Sequence, residues 1–185
     1  MLHNKLSYPT IAFLLLWVMT ATQAHAQTKN YRFQAFYILN FTKYIEWPKQ
    51  DNDRFVVGVL GSQYTSRTIS RTLSGRKIAS NGSTIVVKRF PSISQIKDCD
   101  ILFVSANSTN NIRRVIRKTN GHSTLIVTEK EGFIGKGSCI NFVVKNRKMR
   151  YEINPPQINH FGLTVKNDKI LTLAVNTPTH QNATE

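Results

Sequence analysis

Acidic residues are scarce in this chain. Its 185 residues include 10 Asp and Glu against 25 Lys and Arg, which gives a formal net charge of +15. A surface of that charge favours an acidic protein partner, anionic lipid headgroups or a polyanionic polymer, and a solvated basic surface is the alternative. Nucleic acid is not expected, because the cations are spread over several segments with no recognition helix or stacking motif between them.

Motifs for catalysis and metal binding are also lacking. The chain has no Gly-x-Ser-x-Gly nucleophile elbow. Three histidines, His122, His160 and His180, stand far apart without a second ligand at helical or hairpin spacing. The segment from Gly58 to Ser62 resembles the start of a phosphate-binding turn, but it lacks the three-glycine fingerprint and a following lysine, so a tight strand-to-helix turn is favoured. The sequence therefore predicts a binding protein that is not an enzyme and has no metal and no cofactor.

Long apolar runs are absent after the first 26 residues. Near the start, Ile11 to Val18 is almost unbroken apolar sequence, but it is shorter than the roughly 20 residues that span a bilayer. Lys5 precedes it, and Ala24-His25-Ala26 places small residues where a signal peptidase reads. We predict a cleavable secretory signal over residues 1–26 and an exported, periplasmic chain that does not itself span the membrane. A buried N-terminal helix is the alternative interpretation.

Cysteine occurs only twice, at Cys99 and Cys139. An even count in an oxidising compartment favours a single disulfide. A disulfide between them would close the chain from residue 99 to residue 139 into a loop, which would stabilise the fold by roughly 4 kcal/mol in the chain-entropy model. Two separately buried thiols are the alternative.

Strand and helix patterns alternate from residue 31 to about Gly132, which predicts an α/β fold with a Rossmann-like, mostly parallel sheet flanked by helices. Two further strands are joined across Asn146-Arg147, a link too short for a crossover, so they must form an antiparallel hairpin near the C-terminus. We predict a single domain over residues 27–176 and a disordered polar tail over residues 177–185. The predicted strands cover 55–60, 84–90, 99–105, 125–127, 138–144 and 149–153, the predicted helices cover 31–45, 64–73, 92–95, 110–118 and 155–161, and segment 170–175 fits either type.

Aromatic residues recur along the first helix at the three-or-four spacing of one helix face, as at Phe33, Phe36, Tyr37, Phe41 and Tyr44. Such a stripe is typical of a core face. A ligand groove is the alternative, and it supports a periplasmic small-molecule binding protein as the second functional hypothesis.

Several short blocks together resemble the YfiR/HmsC-like family of periplasmic repressor proteins. Asn40 to Pro48 is similar to the family's opening "NF-x-KF-x-EWP" helix. The C-terminal segment from Thr164 to Ala174 departs from the family's usual sequence pattern. The other similar blocks are Val56 to Gly61, Leu73 to Arg76, Cys99 to Ser105, Glu131 to Phe133, Ile140 to Val143 and Arg150 to Asn154.

The resemblance implies a repressor that binds the periplasmic sensor domain of an inner-membrane diguanylate cyclase, or of a sensor kinase. Such a protein lowers cyclic di-GMP and biofilm formation, and an outer-membrane lipoprotein is a further partner that the resemblance implies. Whether the protein forms a homodimer is left open. Within this chain we expect the partner face near Glu152, Ile158 and Phe161, where apolar residues follow the predicted hairpin.

Overall fold

The computed structural model describes residues 31–48 and 53–175. The predicted signal sequence and the predicted C-terminal tail lie outside the described residues. Helices and strands alternate through most of the described chain, and 3-10 turns lie at Ile93–Gln95 and Ile134–Lys136. The helices are α1 (Tyr31–Tyr44), α2 (Gln63–Leu73), α3 (Ile112–Thr119), α4 (Pro155–His160) and α5 (Lys169–Thr172), and the strands are β1 (Ile45–Glu46), β2 (Arg54–Leu60), β3 (Thr84–Phe90), β4 (Ile101–Val104), β5 (Leu125–Thr128), β6 (Ile140–Lys145), β7 (Lys148–Ile153) and β8 (Thr164–Val165).

The main sheet has six strands in the order β3-β2-β4-β5-β6-β7. Its first five strands are parallel, and β7 is antiparallel to β6. This confirms the predicted mostly parallel α/β sheet with a hairpin near the C-terminus. A separate sheet of two short antiparallel strands, β1 and β8, was not predicted from the sequence.

The central strands β4 and β5 are buried along their whole length. Their unbroken apolar sequences are typical of parallel strands covered on both faces. Right-handed crossovers from β2 to β3 and from β4 to β5 run in opposite directions across the sheet, so they place α2 and α3 on opposite faces. The core therefore lies on both sides of one continuous sheet.

Helix α1 runs along the strands of the sheet, from their carboxyl ends to their amino ends. Near its start, the Tyr31 hydroxyl donates to Glu129 Oε1 at 3.1 Å, and Glu129 directly follows β5. Just after its end, Trp47 Nε1 donates to the backbone carbonyl of Asp100, which directly precedes β4, at 3.0 Å. The start of α1 thus lies at the carboxyl edge of the parallel strands, and its end lies at the amino edge.

The predicted aromatic stripe of α1 divides between the core, as the sequence favours, and the surface. Phe41 is 1% exposed, and its ring lies 5.2 Å from the Tyr151 ring and 6.0 Å from the Phe142 ring. Tyr37 packs edge-on against the same two rings, each at 5.7 Å. Phe36, in contrast, is 42% exposed on the outer side of the helix.

The hairpin between β6 and β7 turns at Asn146 and Arg147, whose φ values are 50° and 59°. Two consecutive residues in the left-handed region are typical of a type I′ turn, whose twist matches that of the strands. The segment that fitted either helix or strand forms α5 and then ends with the Val175 N–H donating to the Tyr151 carbonyl at 2.8 Å.

Candidate functional site

Two of the three predicted partner residues lie in the protein's own core. Ile158 is fully buried and Phe161 is 4% exposed, so neither can contact a partner in this structure and the prediction is wrong for both. These residues are buried because of the position of α4, which is separated from β7 by a single residue, Asn154. Asn154 also caps the helix, since its Oδ1 accepts from the Gln157 N–H at 3.1 Å. This short link turns the apolar side of α4 inward. The role of Glu152, which is half-buried, stays a prediction.

The predicted disulfide is also absent, because Cys99 and Cys139 are free buried thiols. Strand β5 lies between them: the Cys99 carbonyl accepts from Thr124 Oγ1 at 2.8 Å, and the Cys139 N–H donates to the Ile126 carbonyl on the other side at 3.1 Å. Neighbouring strands are about 4.8 Å apart, so the two backbones are separated by about 10 Å. A disulfide needs its Cα atoms within about 7 Å. The order of the strands, rather than burial, therefore prevents the bridge.

Burial makes both thiols poor nucleophiles. It raises the pKa of Cys99 to about 12, with the neighbouring Asp100 carboxylate adding to the shift. Burial likewise raises the pKa of Cys139 to about 12. The thiolate is the reactive form of cysteine. Neither residue is therefore suited to redox exchange or covalent catalysis near neutral pH.

A buried carboxylate, Glu129, organises the carboxyl edge of the sheet. Its Oε1 accepts from the Tyr31 hydroxyl and from the Ala106 N–H at 3.0 Å, and its Oε2 accepts from Gln34 Nε2 at 3.3 Å. Burial raises the pKa of Tyr31 to about 12, and the Glu129 charge adds to the shift. The arrangement fixes the start of α1 to the sheet. Sequence analysis missed Glu129, although an acidic residue directly after a buried strand is a usable signal.

A second polar network continues beside it. Thr128 Oγ1 donates to Asn141 Oδ1 at 2.7 Å and lies 2.8 Å from the Ser138 hydroxyl. Asn141 Nδ2 in turn donates to Glu152 Oε2 at 2.9 Å. Fully paired buried networks rigidify a core. The network therefore explains how the half-buried Glu152 is held, and it leaves that carboxylate engaged inside the protein.

The crevice between β2 and β4 is where open α/β sheets usually bind ligands. Here the chain itself fills it. Ser62 caps α2 by accepting from the Thr65 N–H at 3.1 Å, and the Ser108 hydroxyl donates to the Leu60 carbonyl at 2.6 Å. A Cβ at Gly61 would lie 3.0 Å from the Ser105 hydroxyl, which shows how closely the two strand ends approach. The predicted tight strand-to-helix turn is confirmed.

A cavity of about 250 Å³ opens at the opposite, amino edge of the sheet. The Trp47 indole and the Phe55 ring meet edge-on in its wall, with centroids 5.0 Å apart. Lys166 pairs with Glu46 at 3.2 Å, and Arg54 adds a second cation to the lining. Because the lining contains two carboxylates as well as these two cations, the cavity suits a small zwitterionic molecule.

The outer side of α1 carries the most prominent exposed apolar pair. Phe33 is 59% exposed and Phe36 is 42% exposed, and a spacing of three residues makes them neighbours on the helix surface. Arg32 and Lys43 share this outer side and are also exposed. We call these four residues the α1 outer face. The helical period contained the signal, because Phe33 and Phe36 lie on the side opposite Ile38, which is fully buried.

Within residues 31–48 and 53–175, no group of three or more His, Cys, Asp or Glu side chains could hold a metal ion. In the same ranges, no helix has the length and apolar character needed to cross a bilayer. A comparison with curated proteins gave no match. The sequence profile of the YfiR/HmsC-like family, known for periplasmic regulation of diguanylate cyclases, matches residues 31–175. The chain belongs to the YfiR/HmsC-like family.

Proposed function

We propose that this protein is a periplasmic regulator that binds the sensor domain of an inner-membrane diguanylate cyclase, or of a sensor kinase, and represses its signalling. Family membership over the whole described domain supports this class of function. The side-chain chemistry supports a binding role rather than catalysis. The two thiols have raised pKa values and are therefore poor nucleophiles. The serine hydroxyls at the carboxyl edge form hydrogen bonds to the backbone and to one another.

The observation that carries the proposal is the α1 outer face. Aromatic side chains are among the commonest anchors of protein interfaces, because each ring buries a large area with few rotatable bonds. Phe33 and Phe36 lie on a helix that the Glu129 hydrogen bonds and the Phe41 ring contacts hold against the sheet. A rigid anchor pays little ordering entropy on binding. The flanking Arg32 and Lys43 favour a receptor surface with an apolar centre and an acidic rim.

Repression then follows from unequal affinity. A ligand shifts a two-state receptor only by the difference between its affinities for the two states. Each tenfold preference for the inactive state corresponds to about 1.4 kcal/mol. The regulator therefore needs to fit the α1 outer face to one receptor conformation better than to the other.

The test is a Phe33→Ser, Phe36→Ser double variant expressed in a strain that carries the receptor. We expect cellular cyclic di-GMP to rise to the level of a deletion strain, while the melting temperature of the purified protein stays close to that of the wild type. Leu173→Ser is the matched control, because Leu173 is 56% exposed and lies outside the α1 outer face. Unchanged cyclic di-GMP and unchanged kinase output in the double variant would contradict the proposal.

A second candidate function, small-molecule binding, is favoured by the cavity at the amino edge. A thermal-shift screen against amino acids, nucleotides and vitamins tests it directly. A ligand of this site should raise the melting temperature of the wild type and not that of an Arg54→Gln variant, since Arg54 lines the cavity. A ligand that stabilises both proteins equally would bind elsewhere.

A further inference from the structure

The β6–β7 hairpin projects beyond the rest of the sheet. Strand β6 pairs with β5 only at Ile140 and Asn141, yet it continues to Lys145 before the turn. Residues 143–150, which we call the hairpin tip, are therefore paired only with each other, from Val143 opposite Arg150 to Lys145 opposite Lys148. The tip therefore extends past the carboxyl end of the neighbouring strand β5.

The hairpin tip is strongly cationic. It contains no acidic residue, and its four cations are exposed at the turn and along both strands. The next acidic side chain along β7 is Glu152, whose carboxylate accepts from Asn141. The positive charge of the tip thus has no acidic partner within the tip itself. The four cations are Lys145, Arg147, Lys148 and Arg150.

The tip is also amphipathic. Val144 is 74% exposed and lies opposite Met149. Because side chains alternate along a strand, this pair shares a ribbon face with Phe142 and Tyr151, the face against which α1 packs. The three cations of the two strands lie on the other face, and Arg147 lies at the turn. An apolar pair therefore reaches the end of the ribbon with cations beside and behind it.

We infer that the hairpin tip binds the surface of an anionic phospholipid bilayer. Lipid binding fits the placement of the tip, since a projecting cationic hairpin with an exposed valine needs no complementary pocket in its partner. Cations near an anionic leaflet attract its headgroups, and a neighbouring apolar side chain can enter the acyl boundary. Each cation near such a surface strengthens binding about fivefold. Binding of this kind would hold the protein at the membrane whether or not a receptor is present, so the inference stands apart from the proposed function.

The experiment is vesicle co-sedimentation of the purified protein without any receptor. We expect binding to vesicles that contain phosphatidylglycerol and little binding to vesicles of phosphatidylcholine alone. Four substitutions in the tip, Lys145→Gln, Arg147→Gly, Lys148→Gln and Arg150→Gln, should weaken binding by about several hundredfold on the fivefold estimate. Glycine suits position 147, because its φ of 59° lies in the left-handed region.

A matched control removes four cations from α3 instead. Its variant carries Arg113→Gln, Arg114→Gln, Arg117→Gln and Lys118→Gln, all at exposed positions, so the loss of net charge is the same. We expect this variant to bind within severalfold of the wild type. A separate Val144→Ser variant, which keeps every charge, should weaken binding about tenfold, the size expected for one buried valine.

Three results would overturn the inference. Equal losses in the tip and α3 variants would assign binding to diffuse charge. Full vesicle binding by a folded tip variant would remove lipid as the occupant. Loss of receptor repression in the tip variant with vesicle binding intact would assign the tip to an acidic protein partner.

Discussion

Alkaline pH should destabilise this protein through its two buried thiols. The pKa of each thiol is raised from 9.0 to about 12, chiefly by burial. The native state therefore keeps both protons in a pH range where the unfolded chain has lost them, and unfolding releases protons. The stabilisation is fully present below about pH 9 and is lost as the pH rises towards about 12.

The magnitude follows from linkage. A group that is protonated only in the native state costs about 1.4 kcal/mol of stability for each pH unit, so the two thiols together cost about 3 kcal/mol per unit. Burial also raises the pKa values of Tyr31 and Tyr151 from 10.0 to about 12, which adds to the loss above pH 10. A domain with about 5 kcal/mol of stability, the lower end of the typical range, would reach its alkaline midpoint at about pH 10.5, and one with about 10 kcal/mol would reach it at about pH 11.5. Between pH 9 and pH 10 the loss of stability comes mainly from the thiols, because the tyrosines of the unfolded chain are still largely protonated there.

Urea unfolding across that interval is the assay, and a Cys99→Ala, Cys139→Ala variant is the control. The variant should be less stable at neutral pH, because two buried sulfur atoms are lost, but its free energy of unfolding should change much less between pH 9 and pH 10. A thiol reagent should leave the native wild type unmodified and label two cysteines per chain in denaturant. Equal pH slopes in the two proteins, or no labelling in denaturant, would refute the reasoning.

Two further substitutions test the core and the carboxyl edge. Ile158→Ala should lower the free energy of unfolding by about 2 to 5 kcal/mol, because the side chain is fully buried, while Leu173→Ala should change it by less than about 0.5 kcal/mol. A small cost at Ile158 would place that residue outside the core. Glu129→Gln should cost about 1 to 3 kcal/mol, because it replaces a carboxylate that accepts three hydrogen bonds, and it should speed hydrogen exchange at the Ala106 amide. Unchanged exchange there would mean that Glu129 does not hold that loop.

Periodicity and apolar runs predicted most of the fold. The apolar composition of residues 99–105 predicted a strand buried on both faces, which the structure has at Ile101–Val104, and the short link at Asn146-Arg147 predicted the hairpin. The pair of β1 and β8 was missed because strands of two residues are too short to show any period.

The site was harder to predict, for a reason that both corrections share. The sequence placed the two cysteines on the third and fifth predicted strands, but it did not give the order of those strands in the sheet, and here β5 separates them. In the same way, the apolar spacing at Ile158 and Phe161 shows that one side of α4 is buried, but not whether the burying surface is the protein's own or a partner's. Strand order decided the first question, and the packing of α4 against the protein's own core decided the second.

The placement of α1 has a consequence for the newborn chain. This helix is the first described element to be synthesised, yet Tyr31 bonds to a residue 98 positions later. The rings against which its aromatic side packs, Phe142 and Tyr151, are synthesised later still. Folding must therefore be slow and late, because the loop closes only after almost the whole domain has emerged. Until then the apolar side chains of residues 31–44 stay exposed to solvent, and we expect a holdase chaperone to bind this segment.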